Sequence, residues 1–83
     1  MATNTRTAGP TFANIAIGPG DFALCFLDDD GEWVPHSAAS NAGIGNAYPL
    51  AAKETITFSL ITGEEYLHVR GRGRVLVTAP TVV

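Results

Sequence analysis

Residues 54–79, with the sequence ETITFSLITGEEYLHVRGRGRVLVTA, alternate between apolar and polar side chains over most of their length. In the first part, Ile56, Phe58 and Leu60 fall on one side of an extended chain, and threonine and serine fall on the other. The alternation resumes in residues 66–70. A period of two is typical of half-buried β-strands and not of helices. This half of the chain therefore predicts several strands, each with one face on a core.

The first half of the chain also predicts strands, separated by turn signals. Residues 11–17 (TFANIAI) form an imperfectly alternating strand that ends at Gly18-Pro19-Gly20. Residues 21–27 (DFALCFL) form a nearly continuous apolar run, typical of a strand covered on both faces. Asp28-Asp29-Asp30-Gly31 then predicts a tight hairpin turn into Glu32-Trp33-Val34, because Asp-Gly readily adopts positive backbone angles.

The remaining segments predict one long loop and no helix. Residues 35–46 (PHSAASNAGIGN) lack alternation and form the loop, and Tyr48-Pro49-Leu50 is a short edge-like strand. The only helix-like stretch, Pro49–Glu54, is too short to stand alone. We therefore expect an all-β fold, a small antiparallel β-sandwich or barrel of jelly-roll-like type with six to seven short strands.

The sequence divides into three parts. Residues 1–10 have no periodicity and end in Gly9-Pro10, so they predict a flexible N-terminal arm, either disordered or ordered on a partner. Residues 11–80 predict a single β domain. Pro80 ends the strand pairing and leaves residues 81–83 as a C-terminal tail.

The size of the chain favours self-association. At 83 residues, a single core supplies only about 3–5 kcal/mol, and such small scaffolds usually need a further constraint. The single cysteine, Cys25, has no partner for an internal disulfide, and His36 and His68 are isolated, without zinc-site spacing. Oligomerisation is the remaining means of stabilisation.

Charge and hydropathy narrow the class of partner. A net charge of −3 argues against nucleic-acid binding. No segment approaches the roughly 20 apolar residues of a transmembrane helix, so we expect no membrane partner. The polar start MATNTRTAGPTF has no apolar signal core, which favours synthesis in a cytoplasm.

No residue pattern supports an enzyme, a metal site or a cofactor. His36 and Ser37 are neighbours in a loop without the surroundings of an activated nucleophile. Cys25 lies in an apolar run, where a thiol is inert. Asp28 and Asp30 lack the further ligands of a calcium loop. Catalytic, metal and cofactor residues are therefore predicted to be absent, as is a small-molecule substrate.

The run Arg70-Gly71-Arg72-Gly73-Arg74 holds three of the five basic residues. We favour a solvated hairpin turn, with a protein interface as the second interpretation and single-stranded nucleic acid as the least favoured. The acidic turn Asp28-Asp29-Asp30 is of opposite sign, and in an oligomer the two turns of neighbouring subunits are expected to pair in a salt-sensitive contact.

The aromatic residues Trp33, Tyr48 and Tyr66 allow two interpretations. With the Ser/Asn/Gly-rich loop they would form a carbohydrate or receptor surface. Scattered aromatics of a β domain are more often part of its core, which is the interpretation we favour.

Residues 37–80 resemble a recurring type of short phage-encoded structural protein. The resemblance consists of an Ala/Gly-rich loop, an apolar Pro49-Leu50 piece, a Thr-rich strand over Thr55–Leu60, a YLHVR segment at Tyr66–Arg70, and a Val-rich strand over Val75–Thr78. His68 stands where an aromatic residue is commoner in such proteins.

This resemblance implies a virion accessory protein, either a capsid decoration (cement) protein or a head-fibre domain. Such a protein is a compact β fold without catalytic residues, forms a homotrimer, binds the major capsid protein and sits on the capsid surface of the virion. The contact surfaces are then the arm (Thr3–Phe12), the 36–46 loop and the charged turns. The expected partner-contact residues are Thr3, Asn4, Thr5, Arg6, Thr7, Pro10, Phe12, Asp28, Asp29, Asp30, Arg70, Arg72 and Arg74.

Two alternatives stay open at this point. One is a receptor- or glycan-binding β module of a phage fibre or tail tip, acting through Trp33 or Tyr48. The other is a small cellular β domain with a regulatory role, which predicts a monomer.

Overall fold

A computed structural model describes residues 1–83 and contains β-strands only. The nine strands, in chain order, are β1 (Ala2–Ala8), β2 (Ala13–Ile17), β3 (Gly20–Phe26), β4 (Gly31–His36), β5 (Tyr48–Leu50), β6 (Thr55–Leu60), β7 (Tyr66–Gly71), β8 (Gly73–Ala79) and β9 (Thr81–Val82). The predicted all-β class and the absence of helices are confirmed. Since no helix is present, none has the length and apolar character to cross a membrane.

The strands form two antiparallel sheets. The first sheet has the order β1-β8-β3-β6, and the second has the order β5-β4-β7-β2-β9. The pairing is nested along the chain: β1 pairs with β8, β2 with β7, β3 with β6 and β4 with β5. In addition, β3 pairs with β8 and β4 with β7. This is the strand arrangement of an eight-stranded jelly roll, to which β9 adds a strand beside β2.

The predicted turns exist, but they connect different sheets. Asp28–Asp30 lead from β3 in the first sheet to β4 in the second, and Arg72 alone separates β7 from β8. Neither turn closes a hairpin, so that part of the prediction is wrong. Asp-Gly and Arg-Gly pairs allow a sharp reversal of the chain. The following strand can then join either the same sheet or the opposite sheet, so the turn residues do not by themselves predict a hairpin. Only β4 and β5 are consecutive neighbours in one sheet, and the long loop joins them.

Both chain ends are paired, which corrects the predicted arm and tail. β1 pairs with β8 from Ala2 opposite Ala79 to Ala8 opposite Gly73. β9 pairs with β2, and the backbone of Val83 donates to Ile15 at 3.0 Å. Of the four inward positions of β1, Asn4 and Arg6 are polar and only the alanines Ala2 and Ala8 are apolar, so this edge strand has no apolar stripe. Its register is set by backbone hydrogen bonds, so no hydrophobic period revealed it.

The core lies between the sheets and follows the predicted alternation. Phe22, Leu24 and Phe26 of β3 point inward and are buried. They meet Leu67 and Val69 of β7 in one cluster of 14 residues. The confirmed alternation therefore places the intervening side chains of each strand on the outer faces of the sandwich.

Candidate functional site

One side of the sandwich is open, between the edge strands β5 and β6. Tyr48 lies opposite the buried Trp33 in the second sheet, and Phe58 lies opposite the buried Phe22 in the first. Both therefore occupy inward-facing positions, yet Tyr48 is 57% exposed and Phe58 is 58% exposed. Phe58 is exposed because β5 has three residues and β6 has six, so the second sheet is too short to cover this part of the first.

Aromatic rings fill the mouth of this opening around Trp33. The Trp33 ring lies 4.9 Å from that of Tyr48, at 36° between planes, and 5.8 Å from that of Phe58. Phe22 contacts Trp33 edge-on from the core side, at 5.5 Å between centroids. Trp33 itself is only 7% exposed. The cluster thus joins the core to the surface, and Tyr48 and Phe58 are its exposed members.

A cavity of about 290 Å³ lies at this opening. Its apolar lining includes Trp33, Tyr48, Phe58 and Ile61, and its polar lining includes Asn46, Ser59 and Glu64. The Ser59 hydroxyl donates to Asp21 Oδ1 at 2.5 Å. The side chains of Asn46 and Glu64 form no hydrogen bond within the chain. We call this surface the aromatic cleft.

The outer face of the first sheet is a second distinctive surface. Two rows of side chains cross all four strands: Thr3, Thr78, Ala23 and Thr57 form one row, and Thr5, Leu76, Cys25 and Thr55 form the next. The hydroxyls of Thr3 and Thr78 lie 2.8 Å apart in a hydrogen bond. No charged residue belongs to either row; Asp21 and Arg74 lie beyond the two ends. We call these eight residues the threonine face.

The charged turns meet within the chain. Asp28 accepts three hydrogen bonds from Arg74: from the backbone N at 2.7 Å, from Nε at 3.0 Å and from Nη2 at 2.7 Å. Hydrogen bonds from the Arg74 side chain and then from its backbone lower the pKa of Asp28 from 3.8 to about 2. The same side-chain hydrogen bonds raise the pKa of Arg74.

Arg70 is also paired inside the chain, with Glu32, by Nε at 2.9 Å and Nη2 at 2.5 Å. Its guanidinium lies 4.3 Å from the centroid of the Phe12 ring. Two of the three clustered arginines, Arg70 and Arg74, therefore have partners within the chain. Only Arg72 has none, so the expected pairing of whole turns between subunits is reduced to this residue and the exposed Asp29 and Asp30.

The long loop is attached to the outer face of the second sheet. His68 Nε2 lies 2.8 Å from the carbonyl of Ala38, and His36 Nε2 lies 2.8 Å from that of Ala42. Because a carbonyl only accepts, each ring donates from Nε2. Asn41 Nδ2 adds a hydrogen bond to the Phe12 carbonyl at 2.9 Å.

His68 is fully buried beneath this loop. Burial lowers the pKa of His68 below its ordinary 6.5, although the hydrogen bond to Ala38 acts in the opposite direction. Its Nδ1 has no partner, and neither has Oδ1 of the half-buried Asn14, its neighbour across β2 and β7. The histidine that interrupts the aromatic pattern of the YLHVR segment therefore anchors the loop.

The structure distributes the other sequence-predicted contact residues over several surfaces. Thr3 and Thr5 belong to the threonine face, and Thr7 continues the outer row of β1 opposite Arg74. Asn4 and Arg6 alternate with them; Arg6 Nε donates to the Val83 carbonyl at 2.5 Å. Pro10 and Phe12 lie in the connection from β1 to β2, where the Phe12 ring lies under the Arg70 guanidinium.

The carbohydrate-surface interpretation named Trp33, Tyr48 and the loop that ends at Asn46, all of which line the aromatic cleft, and Tyr66, which does not. It missed Phe58 and Ile61. Phe58 alternates with threonines, so its pattern is that of a core residue. Only the shortness of β5, Tyr48–Leu50, leaves it exposed. Pro49 in this piece was the one available signal of an edge strand.

The structure groups no three or more His, Cys, Asp or Glu side chains in a way that could hold a metal ion. No protein-family model, curated protein or solved structure matches the chain.

Proposed function

We propose that the protein is a non-enzymatic structural component of a phage virion, a capsid decoration protein that binds major capsid subunits at their junctions. The observation that carries the proposal is the threonine face, an uncharged surface that spans all four strands of the first sheet. The jelly-roll arrangement agrees with it, because viral capsid domains use this architecture. That agreement is an analogy of fold and carries less weight than the surface itself.

The threonine face suits contact with another protein surface. Threonine offers a methyl group for apolar contact and a hydroxyl for hydrogen bonding, so its burial leaves no unpaired charge. Leu76, in the middle of the face, is 38% exposed. A face of this kind packs against a second sheet at about 10 Å, as the two sheets of a sandwich do.

The size of the face favours binding by several copies at once. The face spans three residues of each of four strands, which is on the order of 200 Å², whereas one partner of a stable interface typically buries about 800 Å². A single copy would bind weakly, and a homotrimer at a three-fold position of the capsid would combine three such contacts. The proposal therefore includes the homotrimer, located on the capsid surface of the virion.

The proposed binding mechanism does not use a flexible N-terminal arm, which was the contact expected from the sequence. Since Ala2–Ala8 form a paired strand, Thr3 and Thr5 contribute to the contact as part of the sheet. The protein would stabilise the head by adding buried area across subunit junctions, without any chemical step.

The proposal is tested with Leu76→Asp, which puts a charge in the centre of the threonine face. The matched control is Thr62→Lys, in the exposed turn between β6 and β7. Each variant is mixed with capsids assembled from the major capsid protein of the same genome and sedimented. We expect the wild type and Thr62→Lys to sediment with the capsids and Leu76→Asp to remain in the supernatant. Absence of the wild type from the capsid pellet contradicts the proposal, and so does binding of Leu76→Asp at the wild-type level.

The trimer is tested separately by size-exclusion chromatography with light scattering. The expected mass is three times the 8.7 kDa of one chain. A monomer both alone and on the capsid contradicts the trimer.

A second candidate function, a glycan-binding module of a fibre or tail tip, is favoured by the aromatic cleft.

A further inference from the structure

We propose that the aromatic cleft is a binding site for a neutral carbohydrate, which takes one pyranose ring against Tyr48 with its hydroxyls directed to Asn46 and Glu64. The inference deepens the second candidate function and rests on it. The cleft is lined by residues of β4, β5 and β6 and of the adjoining loops, none of which belongs to the threonine face. The capsid-binding proposal can therefore be tested independently of this one.

The cleft has the size of a small ligand. Its volume of about 290 Å³ lies near the lower end of the roughly 300–1,000 Å³ that is usual for ligand pockets. A single sugar ring, free or at the end of a chain, matches this volume. A larger ligand would extend beyond the walls formed by Phe58 and Ile61.

The exposed rings supply one half of the recognition. One side of the Tyr48 ring packs on Trp33 at 4.9 Å, and the residue is nevertheless 57% exposed, so its other face is open to a ligand. The face of an aromatic ring carries partial negative charge and attracts the partially positive C–H groups of a saturated ring. A pyranose presents such C–H groups on its apolar face, and Phe58 provides a second apolar wall.

The polar side chains of the cleft provide hydrogen bonds to the sugar hydroxyls and disfavour an apolar ligand. The amide of Asn46 and the carboxylate of Glu64 line the cleft without a hydrogen-bond partner in the chain. An apolar side chain of another protein would cover these groups and leave them unpaired, which costs about 1–3 kcal/mol for each neutral group and more for a charge. A sugar pairs them through its hydroxyls while its apolar face covers the rings.

Charge selects among sugars. No lysine or arginine lines the cleft, whereas Glu64 does, and Asp21 hydrogen-bonds the lining residue Ser59. A sugar with a carboxylate would be repelled by these two groups without any cation to compensate. The cleft therefore favours neutral hexoses and N-acetylhexosamines over uronic and sialic acids.

The test uses the single tryptophan as a reporter, because Trp33 lines the cleft and is the only one in the chain. The full-length protein is titrated with the methyl glycosides of glucose, galactose, mannose and N-acetylglucosamine, and with glucuronic acid. Binding is followed by Trp33 fluorescence and by amide chemical shifts. We expect saturable binding of at least one neutral glycoside, with shifts concentrated at residues 46–48 and 58–64, and no binding of glucuronic acid.

Two variants and a matched control separate the cleft from the fold. Tyr48→Ala is expected to weaken the binding at least about tenfold, Glu64→Gln to weaken it less, and Tyr48→Phe to retain it, because the ring remains. Both positions are exposed, and unchanged thermal unfolding verifies that the three variants are folded.

Three results would overturn the proposal. They are the absence of a response to every neutral glycoside, equal binding of glucuronic acid, and wild-type affinity in Tyr48→Ala. The other possible occupant of the cleft is a second copy of this chain, and light scattering tests it by the molecular mass. If the wild type is an oligomer and Tyr48→Ala dissociates it, the cleft is an interface between copies and not a sugar site.

Discussion

Asp28 and Arg74 hold together two neighbouring strands of the first sheet, at the end of β3 and the start of β8. Asp28 follows β3, Arg74 lies at the start of β8, and the carboxylate accepts one backbone and two side-chain hydrogen bonds from the arginine. Leu27 N also donates to the Arg74 carbonyl at 2.9 Å. The connections β3–β4 and β7–β8, which carry the chain from one sheet to the other, are thereby joined.

We expect Asp28→Asn to lower the melting temperature more than Asp29→Asn does. Both substitutions change the net charge equally, but only Asp28 pairs with Arg74, whereas Asp29 accepts a single hydrogen bond from the adjacent Asp30 N–H. Thermal unfolding at pH 7 measures the difference. Equal melting temperatures of the two variants would show that the ion pair contributes nothing.

The same pair predicts a loss of stability in acid. Because the pKa of Asp28 is about 2 in the folded protein, below its ordinary 3.8, the folded state binds the proton less readily than the unfolded state. The stabilisation is complete above pH 3.8 and is lost as the pH falls towards about 2. The difference in melting temperature between the wild type and Asp28→Asn should therefore shrink over this range. A difference that stays constant from pH 5 to pH 2 would contradict the assignment.

His68 predicts a second pH dependence, in a higher range. Burial lowers its pKa in the folded state below the ordinary 6.5, so protonation favours unfolding. Stability should be constant above about pH 6.5 and should fall as the pH decreases below it. We expect His68→Gln to lose most of the change in melting temperature between pH 7.5 and pH 5.

The matched control for His68 is His36→Gln, since the His36 ring lies 5.4 Å from the His68 ring and holds the same loop through Ala42. This variant should keep most of the pH dependence, because burial of His68 is the main cause of its lowered pKa and the charge of His36 is a smaller one. An unchanged pH dependence in His68→Gln would assign the effect to other groups.

Gly73 predicts a stability effect that combines backbone strain with a steric clash. Its φ is +83°, and an added Cβ would lie 2.7 Å from Cβ of Asp28. Gly63 has a φ of +96° but has open space around it. Left-handed backbone costs about 1–2 kcal/mol for a residue with a side chain. Gly63→Ala should therefore cost about this amount, and Gly73→Ala should cost more; urea unfolding compares the two. Equal costs would show that Asp28 moves aside freely.

Proline substitutions in β1 test whether the N-terminus is a strand or a free arm. Thr5 N donates to its neighbouring Asn4 side chain at 3.0 Å, so this N–H points away from β8. N–H groups alternate between the two sides of a strand, and that of Asn4 therefore points towards β8. We expect Asn4→Pro to lower the melting temperature clearly and Thr5→Pro to have little effect. Two equally stable variants would support the flexible arm.

The long alternating segments were predictable because their period depends on local geometry alone. Thr55–Leu60 and Tyr66–Arg70 are strands with the expected inward residues, and the Asp-Gly and Arg-Gly positions are turns. Side chains on an extended chain point to opposite faces whatever the chain pairs with. The segments at both ends of the chain lacked this alternation, because they contribute little to the core. Backbone hydrogen bonds hold β1 to β8 and β9 to β2.

The aromatic cleft also could be predicted only in part from the sequence. The alternation correctly placed Phe58 on the inner face of its strand. The favoured interpretation of the aromatic residues as part of the core holds for Trp33, which is 7% exposed, but is wrong for Tyr48, which is 57% exposed. Whether Phe58 is covered depends on how far the opposite sheet extends, which is a property of two strands distant in sequence.

By itself, the sequence determined that this chain is all-β, where most of its strands run and which of their faces is apolar, since these follow from side-chain period and turn chemistry. Only the tertiary structure decided the rest: the turns cross between sheets, Arg74 pairs with Asp28 of its own chain, and Tyr48 and Phe58 face an open cleft. These features depend on which distant strands become neighbours, and that choice is made by the packing of the whole core and not by any local segment.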